Sequence, residues 1–281
     1  MTTQPTITLL HLYADLLNLY GENGNIKVLA YSLRHAGFNV NVRYQSLADT
    51  LDLTDCDLLY IGCGTEDKQL LALNHLQQHR QQLKDYLDKN RLILSTGNSA
   101  DLFGQRILID QSSGQQVEAL GLFDYQAVRL VEREVGEVLF RFGDEYLIGF
   151  QNRGSRIECY DQRAVPMFMI EKGFDAGFAG GQTVGEQPHD EGARFEGFRI
   201  GGFIASSVLG LVTRNPAFVA WLADLLYKKM LESGIGLPMV GDEPYEVTVK
   251  STTSAYVALG LQLDVVAFRV FLANHHSILH S

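Results

Sequence analysis

Over the first hundred residues, short apolar runs alternate with helix-length amphipathic stretches. Most of the changes fall near a glycine or an asparagine. Residues 6–13 read as a buried strand, 38–44 as an alternating strand, and 57–61 and 91–94 as short apolar strands. Between them lie two expected helices. Residues 26–35 place Ile26, Leu29, Ala30 and Leu33 on one face, with Asn25 as the cap and Gly37 as the stop; residues 67–88 carry spaced leucines. Strands separated by helices of this length form βαβ units, and their sheet is mostly parallel and covered on both faces. Ligands of such sheets sit beyond the carboxyl ends of the strands. Two glycine-bearing turns lie there, Gly62-Cys63-Gly64 and Thr96-Gly97-Asn98.

From 117 to about 203 the texture changes to short strands and glycine turns. Val138-Leu-Phe-Arg-Phe142, Tyr146-Leu-Ile-Gly-Phe150 and Met167-Phe-Met-Ile170 read as antiparallel additions to the same domain. Residues 173–192 carry many glycines and read as a mobile loop, with His189 inside it and no partner for it nearby in sequence. Pro216 opens a strong helix over 217–232 that stops at Gly234. The expected division is one domain over 1–234 and an extension over 235–281, helical around 256–272.

The net charge of -10, without any Lys/Arg block, excludes non-specific nucleic-acid binding. Cys56, Cys63 and Cys159 are irregularly spaced and form neither a disulfide framework nor a zinc site. His275-His276 read as solvated residues, so no metal and no cofactor is expected. The first residues lack a positive n-region and no apolar stretch approaches 18 residues. Neither signal peptide nor membrane span is therefore expected, and the compartment is read as cytoplasmic.

Chemistry is most legible over residues 91–104, where an apolar strand runs into a small-residue turn and a helix start. That is the layout of a nucleophile elbow, yet Gly97, at its tip, has no side chain with which to attack. Ser95, Thr96 and Ser99 lie within the turn, but a hydroxyl without an adjacent base is a weak nucleophile, and such residues ordinarily cap and turn. Cys63 is a second thiol candidate if something depresses its pKa; a small buried cysteine is the plainer reading, as it is for Cys56 and Cys159. His11, between Leu10 and Leu12, reads as a satisfied core histidine.

A family resemblance rests on motifs in consistent order. His11-Leu-Tyr-Ala-Asp-Leu-Leu-Asn-Leu-Tyr-Gly-Glu-Asn-Gly-Asn25 is similar to a Pro-Asp-Leu-Leu-Asn-Leu-Tyr-Gly-Asp-x-Gly-Asn pattern, with Ala14 in place of the proline. Ile61-Gly-Cys-Gly-Thr-Glu-Asp-Lys-Gln69 resembles Gly-Gly-Gly-Gln-Asp-x-x-Gln. Leu120-Gly-Leu-Phe-Asp124, Arg133-Glu-Val-Gly136, Ile148-Gly-Phe-Gln-Asn-Arg-Gly154, Glu191-Gly-Ala-Arg194 and Arg214-Asn-Pro216 continue the series. Together they resemble the amidotransferase subunit of lipid II isoglutaminyl synthase (the GatD type). That group is related to the glutaminase domain of cobyric acid synthase. The match spans residues 6–231 and leaves the tail uncovered.

The resemblance implies a three-layer α/β domain of class I glutamine amidotransferase type, flavodoxin-like, with a mostly parallel central sheet and a C-terminal extension. It also implies a thiolate that attacks the glutamine amide, a histidine that moves the proton and backbone N–H groups that hold the oxyanion. The family's elbow cysteine falls on Gly97, and its two following glycines fall on Asn98 and Ser99. The family's Gly-Thr-Tyr-Leu-His-Gly falls on Gly201-Gly-Phe-Ile-Ala205-Ser206, so alanine stands at the base position. Cys63 and Thr96 remain as backup nucleophiles, while Gly62, Cys63, Gly64, Asn98 and Arg133 are the expected substrate-binding positions. For Arg133 a surface ion pair is the alternative, and Gly62 and Gly64 could equally serve a sharp turn. The expectation is a glutaminase-like subunit without glutaminase activity, paired with a Mur-ligase-like ATP-dependent partner as a heterodimer in peptidoglycan amidation. Its pocket is open to glutamine or a related small molecule. The alternatives are an active amidotransferase with a displaced nucleophile and a small-molecule sensor.

Overall fold

In the computed structural model, residues 5–174 and 194–232 are described, together with the short strands Met239–Val240 and Glu243–Pro244. Most of the expected 173–192 loop, His189, the expected 256–272 helix and His275-His276 lie outside the described residues.

The chain begins β1 (Thr6–Leu12), α1 (Asn23–His35), β2 (Asn39–Gln45), β3 (Leu58–Ile61), α2 (Glu66–Gln78), α3 (Arg80–Asp88) and β4 (Leu92–Thr96). A 3-10 helix, Gly97–Phe103, follows β4. Then come β5 (Arg106–Asp110), β6 (Gln115–Glu118), β7 (Tyr125–Phe142), β8 (Glu145–Cys159), β9 (Val165–Lys172), β10 (Phe195–Ile200) and β11 (Phe203–Ser206). The short α4 (Leu211–Arg214) and the long α5 (Pro216–Glu232) close this part of the chain.

The strands form one sheet in the order β2-β1-β3-β4-β11-β10-β9-β7-β5-β6, with β8 paired to β7. From β2 to β11 every neighbour is parallel. Beyond β11 the pairs are antiparallel except β5 with β7. Pleating sends Ile7 and Leu9 of β1 into a core shared with Ile26, Leu29 and Leu33 of α1 and Phe218 and Leu222 of α5. Leu10 and Leu12 enter the opposite core, with Leu73 and Leu76 of α2 and Leu83 of α3. Helices on both faces of the sheet make the three-layer α/β architecture expected from the strand–helix alternation.

Three local expectations are corrected. Asn25 does not cap α1, which starts two residues earlier. Its side chain points into the core, where Nδ2 donates to Glu22 Oε2 at 3.0 Å and to the Tyr60 hydroxyl at 2.8 Å. Asn18 Oδ1 accepts the Asn23 N–H instead, at 2.9 Å. The helix expected over 67–88 is two helices broken at His79, and Arg80 then turns α3 onto the Leu120 and Gly121 carbonyls. The short strands expected at 138–142 and 146–150 are the inner ends of two long arms, β7 and β8. Four residues, 130–133, bulge out where pairing passes from Arg129↔Ser155 to Glu134↔Arg153, and this interruption of the register hid the continuity.

Candidate functional site

β3, β4 and β11 end at the same edge of the sheet. Ala205 pairs with Ser95 and Ser206 with Thr96, so Gly97 follows β4 immediately beside the end of β11. Gly97 and Ala205 line one recess with Asn98, Asp101, Arg153, Ser155 and Glu196. The two frames that sequence alone set 108 positions apart therefore face a single cavity. Among its described lining residues there is neither a thiol nor an imidazole.

The elbow keeps its backbone. Thr96 is extended (φ -117°, ψ 146°) and Gly97 turns to φ +64°, in the left-handed region that favours glycine. A Cβ built on Gly97 would lie 2.5 Å from Cys63 Cβ and 2.8 Å from its Sγ. Cys63 is 5% exposed, and burial pushes its thiol up to about 12. A thiol held so far above neutral pH supplies almost no thiolate. Asn98 clamps the next peptide: its Oδ1 accepts the Gly64 N–H at 3.1 Å and its Nδ2 donates to the Gly64 carbonyl at 2.8 Å. The Gly64 N–H is thereby committed to a side chain.

The hydroxyls of the turn are committed as well, and all are fully buried. Ser95 and Ser99 share a hydrogen bond at 2.7 Å, and Ser99 also reaches the Ile61 and Thr96 carbonyls at 3.0 and 2.9 Å. Thr96 donates to Glu22 Oε2 at 2.7 Å, beneath the elbow and away from the recess wall. The same carboxylate accepts from Tyr60 and Asn25. Burial raises Glu22 above the usual carboxylate range, against the opposing pull of its Tyr60, Thr96 and Asn25 hydrogen bonds.

This network explains the opening sequence motif. The segment before α1 packs on the Gly62-Cys63-Gly64 loop, with the Leu19 N–H donating to the Cys63 carbonyl at 2.9 Å. A Cβ on Gly62 would sit 2.7 Å from both Glu22 Cβ and the Leu17 carbonyl, and one on Gly64 would sit 2.4 Å from Leu17 Cδ2. Gly62 is thus needed for close approach of the neighbouring backbone, while at Gly64 a Cβ would meet the end of the Leu17 side chain.

Arg133 stands on the β7 bulge, outside the recess lining. It donates to Glu66 Oε1 at 2.7 Å, to Asn152 Oδ1 at 2.8 Å and to the Asn152 carbonyl at 2.9 Å, and nearly half of its side chain is exposed. His11 is fully buried in β1 between the rings of Tyr44 and Tyr60, and burial lowers it to about 4.

Sequence reading passed over the recess's charged wall. Glu196 is 1% exposed and accepts from Gln151 at 3.1 Å, from Arg153 at 3.3 Å, from the Ser207 N–H at 2.6 Å and from the Ser206 and Ser207 hydroxyls, each at 3.1 Å. Arg153 also donates to Glu134 at 2.6 Å. Asp101, raised by burial, accepts from Gln69 at 3.0 Å and Ser155 at 2.7 Å. A glutamate inside the apolar run Phe195-Glu-Gly-Phe198 was the available signal. Among the described residues no group of three or more His, Cys, Asp or Glu side chains could hold a metal ion, and no helix is long and apolar enough to cross a membrane.

A sequence model of the CobB/CobQ-like glutamine amidotransferase domain matches residues 8–198. Two curated relatives carry the name lipid II isoglutaminyl synthase (glutamine-hydrolyzing) subunit GatD. The one from Streptococcus pneumoniae is 26% identical over 84% of this chain and 86% of its own length. The one from Staphylococcus aureus is 27% identical over 53% of this chain and 61% of its own length. A solved glutamine amidotransferase from Thermotoga maritima aligns over 92% of this chain and 96% of its own at 14% identity, with a TM-score of 0.45.

Proposed function

The chain belongs to the CobB/CobQ-like glutamine amidotransferase family, and from that premise we propose that it is a GatD-like subunit in lipid II amidation that does not hydrolyse glutamine. Hydrolysis requires a thiolate to attack the carboxamide carbon and a base to carry the proton from thiol to leaving ammonia. It also requires N–H donors aimed at the oxyanion formed between those steps. The observation that carries the reading is that Gly97 and Ala205 line one recess, at the positions where the family resemblance places cysteine and histidine. The committed Gly64 N–H supports it, since one donor of the expected cradle already serves Asn98.

Both curated relatives are named as subunits, which supports a heteromeric role. On the same reading the partner is a Mur-ligase-like, ATP-dependent enzyme. This chain orders or stabilises that partner, which draws on free ammonia, and the assembly works in the cytoplasm. Arg133 is assigned to substrate or partner contact at the rim, and Gly62, Gly64 and Asn98 to the remnant cradle.

The test is ammonia release from glutamine, by the purified protein alone and co-expressed with a Mur-ligase-like partner. Release is expected to stay at the blank level in both, while the complex amidates its acceptor with ammonium salt. Glutamine-dependent release that vanishes in Cys63→Ala would establish a displaced nucleophile and end the proposal.

A further inference from the structure

We infer that Cys63 has taken over the space of the absent elbow side chain and that Asn98 has closed the cradle beside it, so the two residues seal the site as a rigid unit. The inference rests on the proposed reading only for the identity of the space as a nucleophile's; the packing claim stands on geometry.

Gly97 sits at the tip of the turn after β4. Its backbone keeps φ +64°, the conformation that presents a side chain at an elbow, although a glycine has nothing to present. A Cβ there would meet Cys63 Cβ at 2.5 Å and Sγ at 2.8 Å, closer than non-bonded carbon and sulfur come. Position 97 can therefore carry a side chain only if position 63 gives one up. Cys63 arrives from the end of β3, the strand beside β4, and its Sγ lies 3.9 Å from the Gly64 carbonyl rather than on the recess wall. The role open to it is to fill volume.

Asn98 completes the seal from the other side. Its amide meets both the N–H and the carbonyl of Gly64 in a two-point clamp, as a neighbouring strand's peptide would. The Gln69 side chain holds the Asn98 carbonyl and Asp101 together, which fixes the start of the 3-10 helix. Loop 62–64 and the elbow are thus joined by one packed contact and two hydrogen bonds.

Thermal unfolding of Gly97→Ala, Cys63→Gly and the double variant tests the packed contact. In the wild-type background Gly97→Ala is expected to lower Tm by about 8 °C, from left-handed strain plus overpacking. In the Cys63→Gly background only the strain remains, and the same change is expected to lower Tm by about 3 °C. Equal losses in both backgrounds would refute the shared space. A second measurement needs no variant: alkylation of the native protein with iodoacetamide at pH 8, read peptide by peptide. Cys63 is expected to react at least about 100-fold more slowly than in denatured protein. Alkylation at a free-thiol rate would overturn the plug even if ammonia release is absent, so this failure is distinct from failure of the proposed function. For the clamp, hydrogen exchange at the Gly64 amide is expected to quicken at least about tenfold in Asn98→Ala. Unchanged protection would remove Asn98 from the seal.

Discussion

At Gly62 one hydrogen atom decides a loop. Leu17 and Glu22 approach so closely that any Cβ would collide with a main-chain oxygen, and the opening motif can seat itself only on a bare backbone. Gly21, by contrast, has open space around it and is needed for its φ of +83°. His11 shows burial acting on charge. Neither ring nitrogen finds a partner, and burial lowers the group from 6.5 to about 4. The folded state therefore holds the neutral ring, while the unfolded chain takes up a proton as pH falls below 6.5. Stability tied to this group is intact above pH 6.5 and is lost as pH falls towards 4, by about 3 kcal/mol in all. His11→Phe keeps a ring between Tyr44 and Tyr60 and has no proton to gain. Its urea-unfolding free energy is expected to equal or exceed the wild type's at pH 7 and to fall less between pH 6.5 and 4.5. A parallel fall in both proteins would show that His11 does not set the acid limb.

At the level of elements, side-chain amides hold parts that the backbone ladder does not reach. Asn215, 1% exposed between α4 and α5, accepts the Ile148 N–H at 2.8 Å and donates to the carbonyls of Ile148 at 2.8 Å and Leu211 at 2.9 Å. It extends the β8 edge into the helical layer, which gives the Arg214-Asn-Pro216 motif a structural meaning. Asn215→Ala would leave buried backbone groups without partners, and a loss of about 2–3 kcal/mol is expected in denaturant unfolding with little change in m. A loss below about 0.5 kcal/mol would mean that water or repacking replaces the amide. The break at His79 separates two helices whose Leu76 and Leu83 share one core, and it lets the Arg80 guanidinium reach the Leu120 and Gly121 carbonyls.

For the molecule as a whole, both hydrophobic cores among the described residues are built from residues between Ile7 and Met230. We propose residues 1–234 as the folding unit, and a chain ending at residue 234 is expected to unfold in one transition with Tm within about 3 °C of the full-length protein. Loss of cooperative melting would place the 235–281 segment inside the folding unit. Strands β1 to β4 were legible because β1, β3 and β4 are largely apolar runs and β2 alternates, and βαβ geometry leaves few other arrangements. Of the β7–β8 arms only 138–142 and 146–150 were legible, because the middle of β7 is exposed and bulged and the buried face of β8 carries the polar Gln151, Arg153 and Ser155. The sequence alone determined which side chains stand at positions 97 and 205 and that strands and helices alternate, since composition and periodicity are local. Only the tertiary structure decided that those positions share a recess, that Cys63 fills the space at the elbow and that Asn98 holds Gly64. Each is a contact between chain segments whose distances the sequence does not contain.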